Sequence, residues 1–385
     1  MKLLKLLFRN SFRHPLRTVL TILGLAIAIM SFSVIRTAIN AWYVGAEASS
    51  PNRLVTRNAV SLIFDMPLAY KERIANADGV TGISLAQWFG GIYVEPSNFF
   101  AQFAVEHDSY FDLYPEFLVP EDQMAAFMAE RNAVLVGQKL ADRFGWSVGD
   151  NVRLTGTIYP GDWDFVIRGI YTGKFETTDE NTWFSRWDYL DERMRVETPG
   201  RAGRVGTYII QIDDPSRAAE ISQAVDAMFE NSIAETLTET EEAFNLSFVA
   251  MGSQIVLGLQ IVSAMVIGVV LLVLGNTMAM TARERVSEYA VMKSLGFQSY
   301  HLVGLIAGES MLIAIMGGAL GLLISVPING VLGVALSMMF PVVKMDALTF
   351  IMSAVISGGV GLIAAIFPTL KAVRTPIVEG LRIVD

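Results

Sequence analysis

The sequence predicts a membrane α-helical protein: four transmembrane helices, with a large α+β extracytoplasmic domain inserted between the first and the second. Three observations predict it. The 385 residues are 52% hydrophobic and only 17% charged, too apolar for an ordinary soluble domain, and the apolar residues come in blocks. Four of those blocks are long enough to cross about 30 Å of hydrocarbon as helices. The charges gather instead in one acidic stretch, residues 44–250, which holds 16 of the 29 Lys and Arg but 32 of the 38 Asp and Glu.

Residues 1–17, MKLLKLLFRNSFRHPLR, set Lys2, Lys5, Arg9, Arg13 and Arg17 at helical spacing among leucines and Phe8. That pattern is an amphipathic basic leader suited to anionic membrane lipid, with a break near Pro15. The first span is residues 18–43, uncharged from Thr18 to Ile35, with Trp42 and Tyr43 placed for the far headgroup layer. A cleaved signal peptide is the rival reading, with Ala46-Glu47-Ala48 as its small-residue site. The long basic leader and the spans that follow argue for a retained anchor.

Residues 44–250 mix aromatic and β-branched residues with their acids, as a folded domain does and a linker does not. RLVTRN and VTGISL read as strands flanking a helical MPLAYKERIANADG. NAVLVGQKLADRFGWSVGDNVRLTG reads strand–helix–strand, and DFVIRGIYTG and TYIIQIDD add strands. Asp214 and Pro215 open a helix over PSRAAEISQAVDAMFENSI. Two lobes are expected, one from the opening and closing units and one from roughly 87–200. With no cysteine the domain has no disulfide, no thiolate metal site and no Cys nucleophile. Gly169-Ile-Tyr-Thr-Gly173-Lys174-Phe175 falls one residue short of a P-loop and carries Phe where a Mg²⁺-binding hydroxyl belongs. Glu106-His107-Asp108 has no second histidine in the domain to complete a metal site.

Three more spans follow at 251–280, 301–336 and 347–368, with Pro327 and Asn329 marking an end or bend in the third. Basic residues cluster before span one, between spans two and three, and in the tail 369–385. The positive-inside rule therefore places both termini in the cytoplasm and the acidic domain outside. Glu309 is the one acid inside an apolar span, a functional or coupling position that reaches the interface or contacts Arg283, Arg285 or a partner chain. Gly317, Gly318 and Gly321 allow close helix contact and fit packing against a second copy.

Between spans two and three lies residues 281–297, TARERVSEYAVMKSLGF. Arg283, Glu284, Arg285, Glu288 and Lys293 crowd one short helix, Val286, Tyr289, Met292 and Leu295 recur at every third position, and Gly296 supplies the stop. A short amphipathic helix in that place lies on the membrane or docks into a soluble partner.

Taken together, RNSFRHPLRTVLTILGLAIAI, the two domain segments above, GNTMAMTARERVSEYAVMKSLGF, Glu309-Ser-Met with GGALG, and FPTLKAVRTPIVEGLR resemble the MacB/FtsX/LolC–LolE superfamily of ABC-transporter permeases, the mechanotransmission type. The resemblance covers nearly the whole chain. It implies a bacterial inner-membrane permease subunit, not itself an enzyme, with residues 44–250 in the periplasm. By the same resemblance the segment 281–297 is a coupling helix. Arg283, Glu284, Arg285, Glu288 and Lys293 would contact a cytoplasmic ABC ATPase, and Gly296 would permit the turn. No Walker motif occurs in the chain, so ATP and Mg²⁺ are expected on a separate ATPase polypeptide, with no cofactor on this one. A second permease copy or paralogue, membrane lipid and a periplasmic adaptor or lipoprotein are the other implied partners, and nucleic acid is not. The work implied is MacB-like efflux or LolC/LolE-like lipoprotein and lipid trafficking. The alternative is an FtsX-like regulator that does not transport.

Overall fold

A computed structural model of the chain describes residues 2–47, 49–336, 340 and 342–378, with the backbone alone for residues 2–6, 46 and 47. Ala48 of the candidate cleavage site and Arg382 of the tail lie outside the described residues. The chain forms two compact units: Met1–Asn40 with Gly252–Ala335 and Val343–Asp385, and Ala41–Met251 with Leu336–Val342.

The first unit is helical. The basic leader is a helix over Lys2–Ser11, closed by Ser11 Oγ donating to the Leu7 carbonyl at 2.9 Å. After a three-residue break, Pro15 starts the first membrane helix, TM1 (Pro15–Glu47). Its fixed φ suits a first helical position, where no N–H partner is needed. TM2 (Ser253–Glu284), a short charged helix (Val286–Ser294), TM3 (Ser299–Leu336) and TM4 (Ala347–Arg374) follow. All four long helices have the length and apolarity to cross a membrane. TM4 is capped by the Asp346 carboxylate, which accepts from the Thr349 backbone N–H at 3.0 Å.

TM3 does not end at Pro327 and Asn329, both of which lie inside the helix. Asn329 Nδ2 donates to the Ser325 carbonyl at 3.0 Å and to Ser33 Oγ of TM1 at 3.3 Å, so polar partners inside the bundle serve this stretch. Nor do the small residues face outward toward a second copy. A Cβ on Gly317 would lie 2.9 Å from Leu25 of TM1, and one on Gly321 2.6 Å from the Ala26 carbonyl oxygen. Gly318 backs onto the Ser357 side chain of TM4. All three are buried in contacts within this chain, where the absence of a side chain lets TM3 approach TM1 and TM4 closely.

The second unit is built on one continuous sheet. Its path runs Thr236–Thr240, Arg53–Asn58, Thr207–Ile212, Val80–Trp88, Ala101–Val105, Thr182–Arg186, Ala133–Gly137, Gly161–Gly173, Asn151–Gly156, Gly91–Ile92. Pairing is antiparallel except for Thr182–Arg186 on Ala101–Val105 and Ala133–Gly137 on Gly161–Gly173. Three core clusters pack on that sheet, one of them around Tyr110, Phe127 and Tyr171. Of the remaining two, one gathers Tyr70, Ile74, Leu85, Tyr208, Ile221 and Phe229 from the opening and closing units. The other gathers Phe89, Trp146, Trp163, Phe165 and Trp183 from the middle of the domain. The sheet passes between them where Val80–Trp88 pairs with Ala101–Val105. The helix expected over 66–79 is shorter, Tyr70–Ala75, because Met66–Pro67 pairs with Arg204–Val205 instead. Asp214 does open its helical segment, accepting from the Ser216 N–H at 2.9 Å.

Candidate functional site

The short helix Val286–Ser294 sits at the leader end of the helical unit, and its charges are already occupied. TM2 ends on Glu284, whose carboxylate takes two parallel hydrogen bonds from Arg17 of TM1, at 2.9 and 3.0 Å, with His14 Nε2 at 3.5 Å. A fork-to-carboxylate geometry of this kind fixes orientation as well as charge. One turn further, Glu288 is held by Arg13 and by Arg285 Nε at 3.0 Å. Arg285 in turn donates Nη1 to Glu309 Oε2 of TM3 at 2.9 Å. The side chains of Arg285 and Glu309 are only 8% and 4% exposed.

This chain of pairs explains how an acid is tolerated in TM3. Buried alone, Glu309 would carry a desolvation cost of several kcal/mol; paired to Arg285 it forms an anchor instead. Burial works against the charge of Arg285, and Tyr289, Glu309 and Glu288 outweigh it, raising the guanidinium above the ordinary arginine value. Burial also pushes the Tyr289 phenol up to about 12, so a neutral ring lies 5.6 Å under the Arg285 guanidinium. For Glu288, burial works upward, but the hydrogen bonds from Arg13 and Arg285 win and hold its carboxyl below the usual range. A polar cavity of about 90 Å³ lies among these side chains, bounded by Asn10, Arg17, Thr277, Glu284 and Glu309.

The far end of the helix is held differently. Lys293 Nζ donates to the carbonyls of Ala372, Val373 and Thr375 at 2.8–2.9 Å, capping the last turn of TM4. An ammonium there satisfies orphan carbonyls and complements the helix dipole. Gly296 adopts φ +90°, and the Phe297 N–H reaches back to the Met292 carbonyl at 3.1 Å. That left-handed stop favours glycine.

The sequence-predicted residues therefore divide. Glu284, Arg285, Glu288 and Lys293 each find a partner within their own chain. Glu284 meets Arg17 of TM1, Glu288 meets Arg13 of the leader break, Arg285 meets Glu309 of TM3, and Lys293 meets backbone carbonyls at the end of TM4. Arg283 is exposed and makes no ion pair among the described residues. The apolar stripe divides too: Tyr289 is buried, whereas Leu295 is 72% exposed. Beside it lie exposed Val291, Phe297 and Tyr300. In the sequence Arg13 and Arg17 are leader charges alone. No local signal ties them to acids some 270 positions later.

Residues 18–228 match the MacB-like periplasmic core domain, more than half of the chain, and residues 260–377 match the C-terminal domain of FtsX-like permeases. The chain belongs to the MacB/FtsX family of ABC-transporter permeases. The macrolide export ATP-binding/permease protein MacB of Nitrobacter winogradskyi is 23% identical over 96% of this chain and 58% of its own length. An ABC transporter permease protein of Mycobacterium tuberculosis is 23% identical over 68% of this chain and 30% of its own. The chain thus spans between about a third and somewhat over half of these relatives' lengths. Among solved structures, the periplasmic region of MacB from Actinobacillus actinomycetemcomitans aligns with 51% of this chain and 92% of its own, at 9% identity and a TM-score of 0.35.

Proposed function

We propose that this chain is the membrane half of an ATP-driven machine, and that Val286–Ser294 is its coupling helix. A cytoplasmic ABC ATPase on another polypeptide binds the outward face formed by Arg283, Val291, Leu295, Phe297 and Tyr300. The ion pairs on the inward face transmit the push to TM1 and TM3. The observation that carries this reading is the division of the helix. Paired charges on it and just before it, with Arg285 and Glu309 the buried pair among them, join it to the leader break, TM1, TM3 and TM4, while its other side presents large exposed apolar groups.

Eleven of the thirteen Lys and Arg outside residues 44–250 lie in the leader, the segment 281–297 and the tail. That asymmetry supports cytoplasmic termini and a periplasmic domain in a bacterial inner membrane. ATP-driven closure of two ATPases on two permease copies would draw the coupling helices together, and the periplasmic domain would act on a substrate at the outer side. The extent of the match to the MacB-like domain favours efflux or lipoprotein and lipid release over a regulator without transport.

The test is affinity purification of the tagged protein in mild detergent with mass spectrometry of its companions. An ATPase is expected with the wild type, and Leu295→Asp is expected to reduce its recovery at least tenfold while the permease stays monodisperse. Recovery unaffected by Leu295→Asp would overturn the assignment of the docking face.

A further inference from the structure

The extracytoplasmic unit contains a second ionic knot, and its place in the chain is informative. Arg53 opens the first strand, six residues after the end of TM1. Its Nε donates to Glu241 Oε2 at 2.8 Å, its Nη2 to Glu116 Oε1 at 2.6 Å, and its Nη1 to the Leu113 carbonyl at 2.8 Å and to Glu116 Oε2 at 3.1 Å. The guanidinium also lies 4.2 Å from the centre of the Tyr114 ring. Glu241 opens the helix Glu241–Met251 that leads into TM2. Leu113, Tyr114 and Glu116 belong to the middle of the domain, beside the core cluster of Tyr110, Phe127 and Tyr171.

One side chain thus ties together the exit from TM1, the entry to TM2 and the middle of the domain. The Arg53 and Glu241 side chains are 7% and 8% exposed, and Glu116 is 18%. Burial disfavours the Arg53 charge, and the two carboxylates outweigh it and raise its pKa. As a source of stability the arrangement is poor, since a buried ionic triad can often be replaced by apolar residues of like volume without loss. What it supplies that apolar packing does not is direction. A bidentate fork on one carboxylate and a third hydrogen bond on another fix the angles between three chain segments.

We infer that Arg53, with Glu116 and Glu241, is the positioning group through which movement of TM1 and TM2 reaches the extracytoplasmic domain. The inference rests on the ATP-driven reading above. When the two helices shift, the knot makes the middle of the domain follow them instead of letting the strand and helix roots slip past it.

The protein has no cysteine, so a spin-label pair can be introduced without background, at Val196→Cys in the domain and Leu257→Cys on TM2, both exposed. The labelled permease, with its ATPase in nanodiscs, is measured by pulsed electron resonance with and without ATP and vanadate. The test variant is the apolar triple Arg53→Met, Glu116→Leu, Glu241→Leu, accompanied by Arg53→Lys, which keeps the charge and loses the fork. The expected result is a nucleotide-dependent distance change in the parent that falls at least fivefold in population in the triple variant, with Arg53→Lys intermediate. Thermal unfolding and ATP hydrolysis should persist in both variants. A triple variant that moves like the parent overturns the inference and leaves the coupling reading standing. A parent that does not move under ATP and vanadate overturns both.

Discussion

At the level of single residues, Arg285 is the most exposed to test. It pairs at once with Glu288 and Glu309, and Glu309 has no other ion-pair partner among the described residues. Removing the guanidinium strands a carboxylate in TM3. Arg285→Ala should therefore cost about 3–5 kcal/mol, read by denaturant unfolding in detergent. Adding Glu309→Leu should recover most of that loss, because the stranded charge leaves with it. If the double variant is no more stable than the single, the pair is not what holds this end together. The glycines make a sharper steric contrast. Gly321 lies against a backbone oxygen of TM1, which cannot yield, whereas Gly330 on the same helix has nothing within 4 Å. Gly321→Val is expected to cost about 1–3 kcal/mol or more as an overpacked contact, and Gly330→Val to be near neutral in the same unfolding assay.

For single elements, the short charged helix is pinned at both ends by different chemistry, and the two ends should respond differently. Against burial, hydrogen bonds from Arg13 and Arg285 hold the Glu288 carboxyl below the ordinary glutamate value of about 4.3. A lowered carboxyl contributes stability that is present above that value and is lost as pH falls through its folded pKa. A spin label on the exposed Val291 should therefore keep the same mobility from neutral pH down to about pH 5 and loosen only below about 4.3. Loosening near pH 6 would contradict the pairing. At the other end, Lys293→Met releases three carbonyls from charged hydrogen bonds, each worth about 1.5–3 kcal/mol. Amide exchange over residues 371–376 should rise by about tenfold or more. The existence of this helix, its Gly296 stop and its neighbours were legible in the sequence, since apolar runs and charge clusters are local signals. Which face it buries was not. The partners that Glu284, Glu288 and Lys293 find within the chain, Arg17, Arg13 and the end of TM4, are brought beside them only by the tertiary fold. The same holds in the domain, where strand segments were readable one by one but the single sheet beneath its cores depends on pairing between distant segments such as Val80–Trp88 and Thr207–Ile212.

For the whole molecule, the two ionic knots occupy comparable places in the chain. One joins the segment between TM2 and TM3 to TM1 and TM3; the other joins the chain leaving TM1 to the chain entering TM2. A permease that works by transmitting motion needs such fixed joints wherever force changes element. It does not need a row of polar residues through the membrane, and Glu309, the one acid within the apolar run of TM3, is spent on a joint. The central claim is that the exposed face beside Leu295 receives an ATPase while the buried face passes the motion on. The most direct measurement is recovery of the ATPase with tagged wild type, Leu295→Asp and Glu288→Arg from the same membranes. The account predicts ATPase with the wild type, at least tenfold less with Leu295→Asp, and a weaker loss with Glu288→Arg, whose damage is indirect. Full recovery with Leu295→Asp, or no ATPase with a well-folded wild type, would contradict it.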